Sequence, residues 1–238
     1  MIWSTALCLL LSVVILVAGD ALGFRYYLTS TAIVVLSMVP FAVSFESRRP
    51  QAREIVVLAV MCAIAVVSRV VFAGIPHVKP LVGIVMITGI AFGGQAGFLT
   101  GTLAALVSNF IFGQGPWTPW QMLAYGLAGL LAGGLARAGL IPRGAWSMPQ
   151  RIGVSVLGFL VVVCMVGPIL DTCTVFTMVS TVTPEAALAV YSIGFATANV
   201  PHAIATFATL FLVGSPMLAK LNRVRVKYGF MEAGKMPK

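Results

Sequence analysis

The chain has 238 residues, of which 60% are hydrophobic and 9% charged, with a formal net charge of +9 and a mean hydropathy of +1.04. A soluble domain carries about 25% charged residues, so a water-soluble enzyme, a nucleic-acid-binding domain and a disordered tail are all poor readings. Apolar runs punctuated by short polar breaks instead describe an all-α integral membrane protein.

A helix needs about 20 apolar residues to cross about 30 Å of hydrocarbon. That length places about eight spans, at 2–18, 28–45, 55–73, 78–93, 97–112, 120–137, 152–170 and 186–214. The run from Leu81 to Phe112 is too long for one helix and is split at Gly93-Gly94-Gln95. Pro201 gives the last span a reason to bend. No Lys or Arg precedes Arg25, so the N-terminus lacks the basic region of a signal peptide and reads as a retained span. Cys8, Cys62, Cys164 and Cys173 have neither CxxC nor metal-ligand spacing and read as small hydrophobes.

Basic residues orient the bundle. With the N-terminus inside, Arg48, Arg49, Arg53, Arg137, Arg143, Arg151 and the tail residues Lys220, Arg223, Arg225, Lys227, Lys235 and Lys238 are cytoplasmic, leaving only Arg25, Arg69 and Lys79 outside or near it. Both termini are therefore expected in the cytoplasm. Topology and anionic inner-leaflet lipid account for the positive charge, and no nucleic acid is needed. The polar stretch Glu46–Gln51 divides the chain. It gives an N-terminal transmembrane hairpin at 1–45, a cytoplasmic linker at 46–54, a six-span bundle at 55–214 and a basic cytoplasmic tail at 215–238.

Small residues recur at every fourth position in Gly89/Gly93/Gly97/Gly101, Ala124/Ala128/Ala132/Ala136 and Ala59/Ala63. In lipid such stripes let helices approach closely, either within the bundle or against a partner. Ala59 and Ala63, on the first span of the six-span unit, are the better candidates for a partner face. The richest polar segment is Asn109 to Gln121, read as an outward loop in which Gln114, Trp117, Trp120 and Gln121 set flat apolar surface beside amides. That mixture suits a planar organic ligand, or else an interfacial tryptophan belt that needs none. Arg69 either pairs with an anionic substrate group or snorkels to lipid phosphate. His77 and Lys79 occupy a second outward loop.

The third outward segment holds Asp171, Thr172, Thr174, Thr177, Ser180 and Thr183. There Asp171 either faces the cavity mouth or Arg69, or ends a helix. Asn199, Pro201 and His202 lie near the middle of the last span, where polar groups serve a bundle-internal hydrogen bond or a cavity floor. P-loop, HExxH and GxSxG motifs are missing, and none of the six acidic residues is read as deep in a span. The chain is not expected to be an enzyme, and no catalytic residue, metal ligand or cofactor is assigned.

The span from Arg53 through Ala59-xxx-Ala63, the Pro76–Pro80 loop, the Gly89–Gly101 stretch, Ser108-Asn109-Phe110 and the string from Phe112 to Met122 resemble energy-coupling factor (ECF) transporter S components over about residues 50–215. The Gln-Gly-Pro-Trp-Thr-Pro-Trp-Gln string resembles the cobalamin-type branch. The resemblance implies a six-helix, non-catalytic subunit in the plasma membrane of a prokaryote. Such a subunit would bind a vitamin from outside, with cobalamin or a related corrinoid as the expected substrate. It would dock on a transmembrane coupling subunit with two cytoplasmic ATPases and topple to release its cargo. Site residues expected on this basis are Trp117, Trp120, Gln114, Gln121, Asn109, Arg69 and His77, with Ala59 and Ala63 for docking. The extra hairpin departs from the six-span plan. The rival readings are a structural or assembly membrane protein with a tryptophan anchor loop, and an S component for another solute.

Overall fold

A computed structural model describes residues 26–46, 52–179 and 181–228, together with Leu11. Seven helices are present among the described residues: α1 (Tyr26–Glu46), α2 (Ala52–Val71), α3 (Leu81–Phe92), α4 (Gly94–Phe112), α5 (Trp117–Arg137), α6 (Met148–Met178) and α7 (Pro184–Val226). By length and composition α2, α4, α6 and α7 can each cross a membrane. The span expected at 2–18 lies outside the described residues.

At about 1.5 Å per residue, the 12 residues of α3 reach only about 18 Å. All of them are buried, so α3 is the axis around which α2, α4, α5 and α7 pack, and protein rather than lipid surrounds it. The chain breaks after Phe92 because Gly93 takes φ +97°, a conformation that costs glycine little; α4 starts at the next residue.

Direct backbone contact between α3, α4 and α5 explains two of the small-residue stripes. A Cβ on Gly97 would stand 2.6 Å from the Gly129 carbonyl oxygen, and one on Gly129 would collide with the Gly97 backbone. Gly89 faces Gly129 in the same way, and Gly101 faces Tyr125. Ala124, Ala128, Ala132 and Ala136 are all buried. Lipid tails are as apolar as leucine, so close van der Waals packing of this kind is what holds helices together in a bilayer. Ala59 and Ala63 differ, because both are exposed. They lie on an outward α2 face with Val56, Val60 and Val67, opposite the buried Leu58, Met61, Cys62, Ala65 and Arg69.

The two long helices contain π turns at Val162–Val166, Phe195–Asn199 and Leu210–Gly214. Each ends two residues before a proline: Pro168, Pro201 and Pro216. A proline lacks an N–H and clashes with the carbonyl four residues back, and widening that turn lets the helix continue. Thus Pro201 does not end the last helix. At the opposite end of the bundle from Arg69, the α5–α6 loop is fastened to α7. The Trp146 backbone N–H donates to Ser215 Oγ (2.9 Å) and its indole N–H to the Pro142 carbonyl (2.8 Å).

Two expectations need correction. Residues 109–121 do not form one long loop: α4 extends to Phe112 and α5 begins at Trp117. Pro116 and Pro119 flank the first turn, where a missing N–H costs nothing. Asp171 does not end a helix outside the bundle. It lies inside α6 and is buried, because Thr172, Thr174 and Thr177 return their hydroxyls to backbone carbonyls of their own helix and so let it run on to Met178.

Gly129→Leu is expected to abolish the folded, monodisperse protein in size-exclusion profiles. Ala63→Leu, on the exposed face, should leave the profile and the unfolding temperature unchanged.

Candidate functional site

The helix ends that carry loops 72–80 and 113–116 are joined by one polar network. Arg69, in the last turn of α2, is turned into the bundle and only 8% exposed. Its Nη1 donates to Ser108 Oγ at 2.6 Å and to Asn109 Oδ1 at 2.9 Å, while its guanidinium carbon lies 4.6 Å above the Phe112 ring. Arg69 therefore does not snorkel to lipid; α4 holds it.

Asn109 is fully buried and uses both ends of its amide. Its Nδ2 donates to Thr118 Oγ1 (3.0 Å) and Gln121 Oε1 (3.0 Å) on the first turns of α5. Thr118 donates onward to Gln114 Oε1 (2.8 Å) and accepts from the Gly115 N–H (3.3 Å). Gln114 Nε2 reaches back to the Leu106 carbonyl at 3.1 Å. Four predicted site residues, Arg69, Asn109, Gln114 and Gln121, thus belong to a single network bridging α2, α4 and α5.

The tryptophans stand beside this network rather than in it. Trp117 is half-buried and its ring folds over Gly115, where any Cβ would strike the indole. Trp120 is buried with Cys173 of α6 and Val34 of α1, and its ring lies 6.1 Å from that of Phe176 at 52°. Met38 of α1 and Trp117 pack against the same cluster. His77 is exposed, in loop 72–80, and adopts φ +60°. Partial burial, and then the charge of Lys79, push its pKa below the ordinary histidine value, so it is neutral near pH 7. It is not part of the network.

Reading the sequence missed Ser108 and Thr118 as network members, although both lie in the quoted motif: Thr118 precedes Gln121 by three positions, one helical turn. Tyr125 was missed as well. Its ring meets that of His202 edge-on at 5.9 Å and 87°. A second buried polar pair joins α6 to α7, with Asn199 Nδ2 donating to Asp171 Oδ2 at 2.7 Å. Gly167 and Gly194 give these two side chains their space. Asp171 therefore faces Asn199, and the bundle-internal reading of Asn199 is the one the geometry supports.

A protein-family model described as the S component of an ECF-type riboflavin transporter matches residues 50–223. The chain belongs to this family. The match spans α2 to α7 and leaves α1 outside it. Comparison with curated proteins and with solved structures finds no match. The chain is thus an ECF S component, a membrane subunit of a transport system. The corrinoid expectation gains no support, since the family description names riboflavin.

In this S component Asn109 is the member that links Arg69 of α2 to Thr118 and Gln121 of α5. Asn109→Leu leaves a buried cation and two side chains short of a bond, so it should cost about 2–4 kcal/mol. The check is a lowered unfolding temperature in detergent, alongside Gln114→Ala, whose more exposed bonds should cost under about 1 kcal/mol.

Proposed function

We propose that this S component captures a vitamin with a planar ring system at the Arg69–Asn109–Gln121 end of the bundle and delivers it inward as the non-catalytic subunit of a vitamin importer. The observation that carries this reading is the network itself. It draws the ends of three helices together around a buried arginine, with Trp117 and Trp120 providing flat apolar surface alongside. Such a mixture of aromatic surface and a few fixed polar groups is what small-molecule sites use.

The family description favours a flavin as the ring system, and cobalamin is kept as a competing member of the panel below. Trp120 is enclosed by protein on α1 and α6, which counts against a purely interfacial tryptophan belt and hence against the structural-anchor reading. Substrate contacts are assigned to Trp117, Trp120, Gln114, Gln121, Asn109 and Arg69, with His77 at the rim.

On this reading the Arg69 end faces outward and both termini are cytoplasmic in a prokaryotic plasma membrane. Energy comes from a transmembrane coupling subunit and two ATPases. The exposed Ala59/Ala63 strip on α2 is the proposed docking face, because small side chains let a partner helix approach closely. Few charges lie inside the bundle, so reorientation in the bilayer moves little charge through hydrocarbon.

Calorimetry on the purified chain, with riboflavin, cobalamin, cobinamide, thiamine, folate and biotin, tests the assignment. One member should bind without ATP or partners. Trp120→Ala should weaken that binding at least about tenfold, or about 1.4 kcal/mol, in a folded protein. Unchanged affinity in both Trp117→Ala and Trp120→Ala would return the tryptophans to an anchoring role. Ala59→Leu with Ala63→Leu should leave vitamin affinity intact yet prevent co-purification with the coupling subunit.

A further inference from the structure

Building on the capture reading, we infer that the substrate is taken in an acidic form, carrying a carboxylate or a phosphate, and that Arg69 is the cation that receives it. Arg69 is buried, yet its partners are all neutral: the Ser108 hydroxyl, the Asn109 amide oxygen and the Phe112 ring. Among the described residues no Asp or Glu pairs with it. Removing a charge from water costs several kcal/mol per ion unless a counter-charge offsets it, and charged groups at membrane depth normally find one. Asp171, the buried acid among the described residues, is engaged by Asn199 instead. Both protein bonds of Arg69 leave from Nη1, so Nε and Nη2 have no acceptor among the described residues. A guanidinium edge of this kind offers two parallel donors, the geometry that a carboxylate or phosphate takes up.

The surroundings carry the same sign. Lys79, in loop 72–80, adds its positive charge to that of Arg69 at the same end of the molecule, and both act on the ring of His202 in α7. His202 and Tyr125 are 4% and 0% exposed, and the Nε2 of one and the Oη of the other have no hydrogen-bond partner among the described residues. A buried polar atom left unpaired is destabilising. Two such atoms on rings in mutual contact, within the electrostatic reach of Arg69, supply further hydrogen-bonding capacity for a polar substrate. An acidic lipid headgroup would present the same chemistry as an acidic vitamin. Against it, Arg69 is turned into the bundle toward α4 and away from the lipid-facing side of α2.

The test is calorimetry on the full chain in maltoside micelles and phosphate-free buffer, with two matched pairs of planar-ring vitamins: riboflavin against riboflavin 5′-phosphate, and nicotinamide against nicotinate. In one pair the acid should bind at least about tenfold more tightly than its neutral partner. Arg69→Gln should bring the acid down to the affinity of the neutral member, and Arg69→Lys should retain part of the preference. Asn109→Asp, which sets a carboxylate against Arg69, should likewise abolish it. The unliganded Arg69→Gln protein should melt no lower than wild type, because the substitution removes an uncompensated charge; a merely structural arginine would give a lower melting temperature.

Equal binding of both members of the pair that binds, or equal weakening of both by Arg69→Gln, overturns the inference while the capture reading stands. Stabilisation by phosphatidylglycerol that Arg69→Gln abolishes, with no advantage for the acidic vitamin, assigns Arg69 to lipid and also overturns it. Failure of every vitamin tested to bind the folded chain removes the capture reading, and the inference with it.

Discussion

A guanidinium held inside a membrane bundle by partners that are all neutral among the described residues is the constraint around which one end of this molecule is arranged. Arg69 cannot be left without hydrogen bonds at that depth, and Ser108 and Asn109 supply them from the neighbouring helix. Asn109 is then committed. Its oxygen serves Arg69 and its nitrogen must find acceptors elsewhere, which draws Thr118 and Gln121, and with them the start of α5, against the end of α4. The short loop 113–116 follows from that requirement. In low dielectric each of these bonds is worth more than at a water-exposed surface, and each unpaired group costs more.

Two different kinds of packing support this end. On one side, α3, α4 and α5 meet glycine to backbone, with Gly129 pressed against both Gly89 and Gly97. On the other, α6 and α7 pass through three π turns ahead of Pro168, Pro201 and Pro216 and are tied to each other by Asp171 and Asn199. Trp120 spans the two halves, since it starts on α5 and ends among residues of α6 and α1. The helix that precedes the family-matched region therefore contributes Val34 and Met38 to the wall beside the candidate site.

How much of this could be read from residues alone depends on the range of the interaction. Spans announce themselves because a bilayer demands about 20 apolar residues in sequence, and the break at Gly93 is visible because an apolar run through Phe112 exceeds any single crossing. Arg69, Asn109, Gln114 and Gln121 stood out as polar groups in apolar surroundings. Their connection did not, since Arg69 and Asn109 are 40 residues apart and nothing local records which helix end faces which. The start of α5 at Trp117, three residues ahead of the expected position 120, was obscured by prolines, which mark a turn and a first helical turn equally well. Asp171 was misplaced for a related reason. A cluster of threonines reads as a loop unless each hydroxyl is known to bond its own helix. The exposure of Ala59 and Ala63, in contrast with the buried glycine and alanine stripes, is a tertiary fact with no counterpart in their spacing.

The central claim is that the Arg69 network is the floor of a ligand site and not only a clasp between helices. Hydrogen–deuterium exchange on the whole chain, with and without the tightest-binding member of the vitamin panel, tests it most directly. The account predicts slowed exchange confined to residues 69–80 and 109–121 and to the facing part of α7 around His202. Protection spread evenly over the bundle, or concentrated at the Trp146–Ser215 end with none at 109–121, would contradict it.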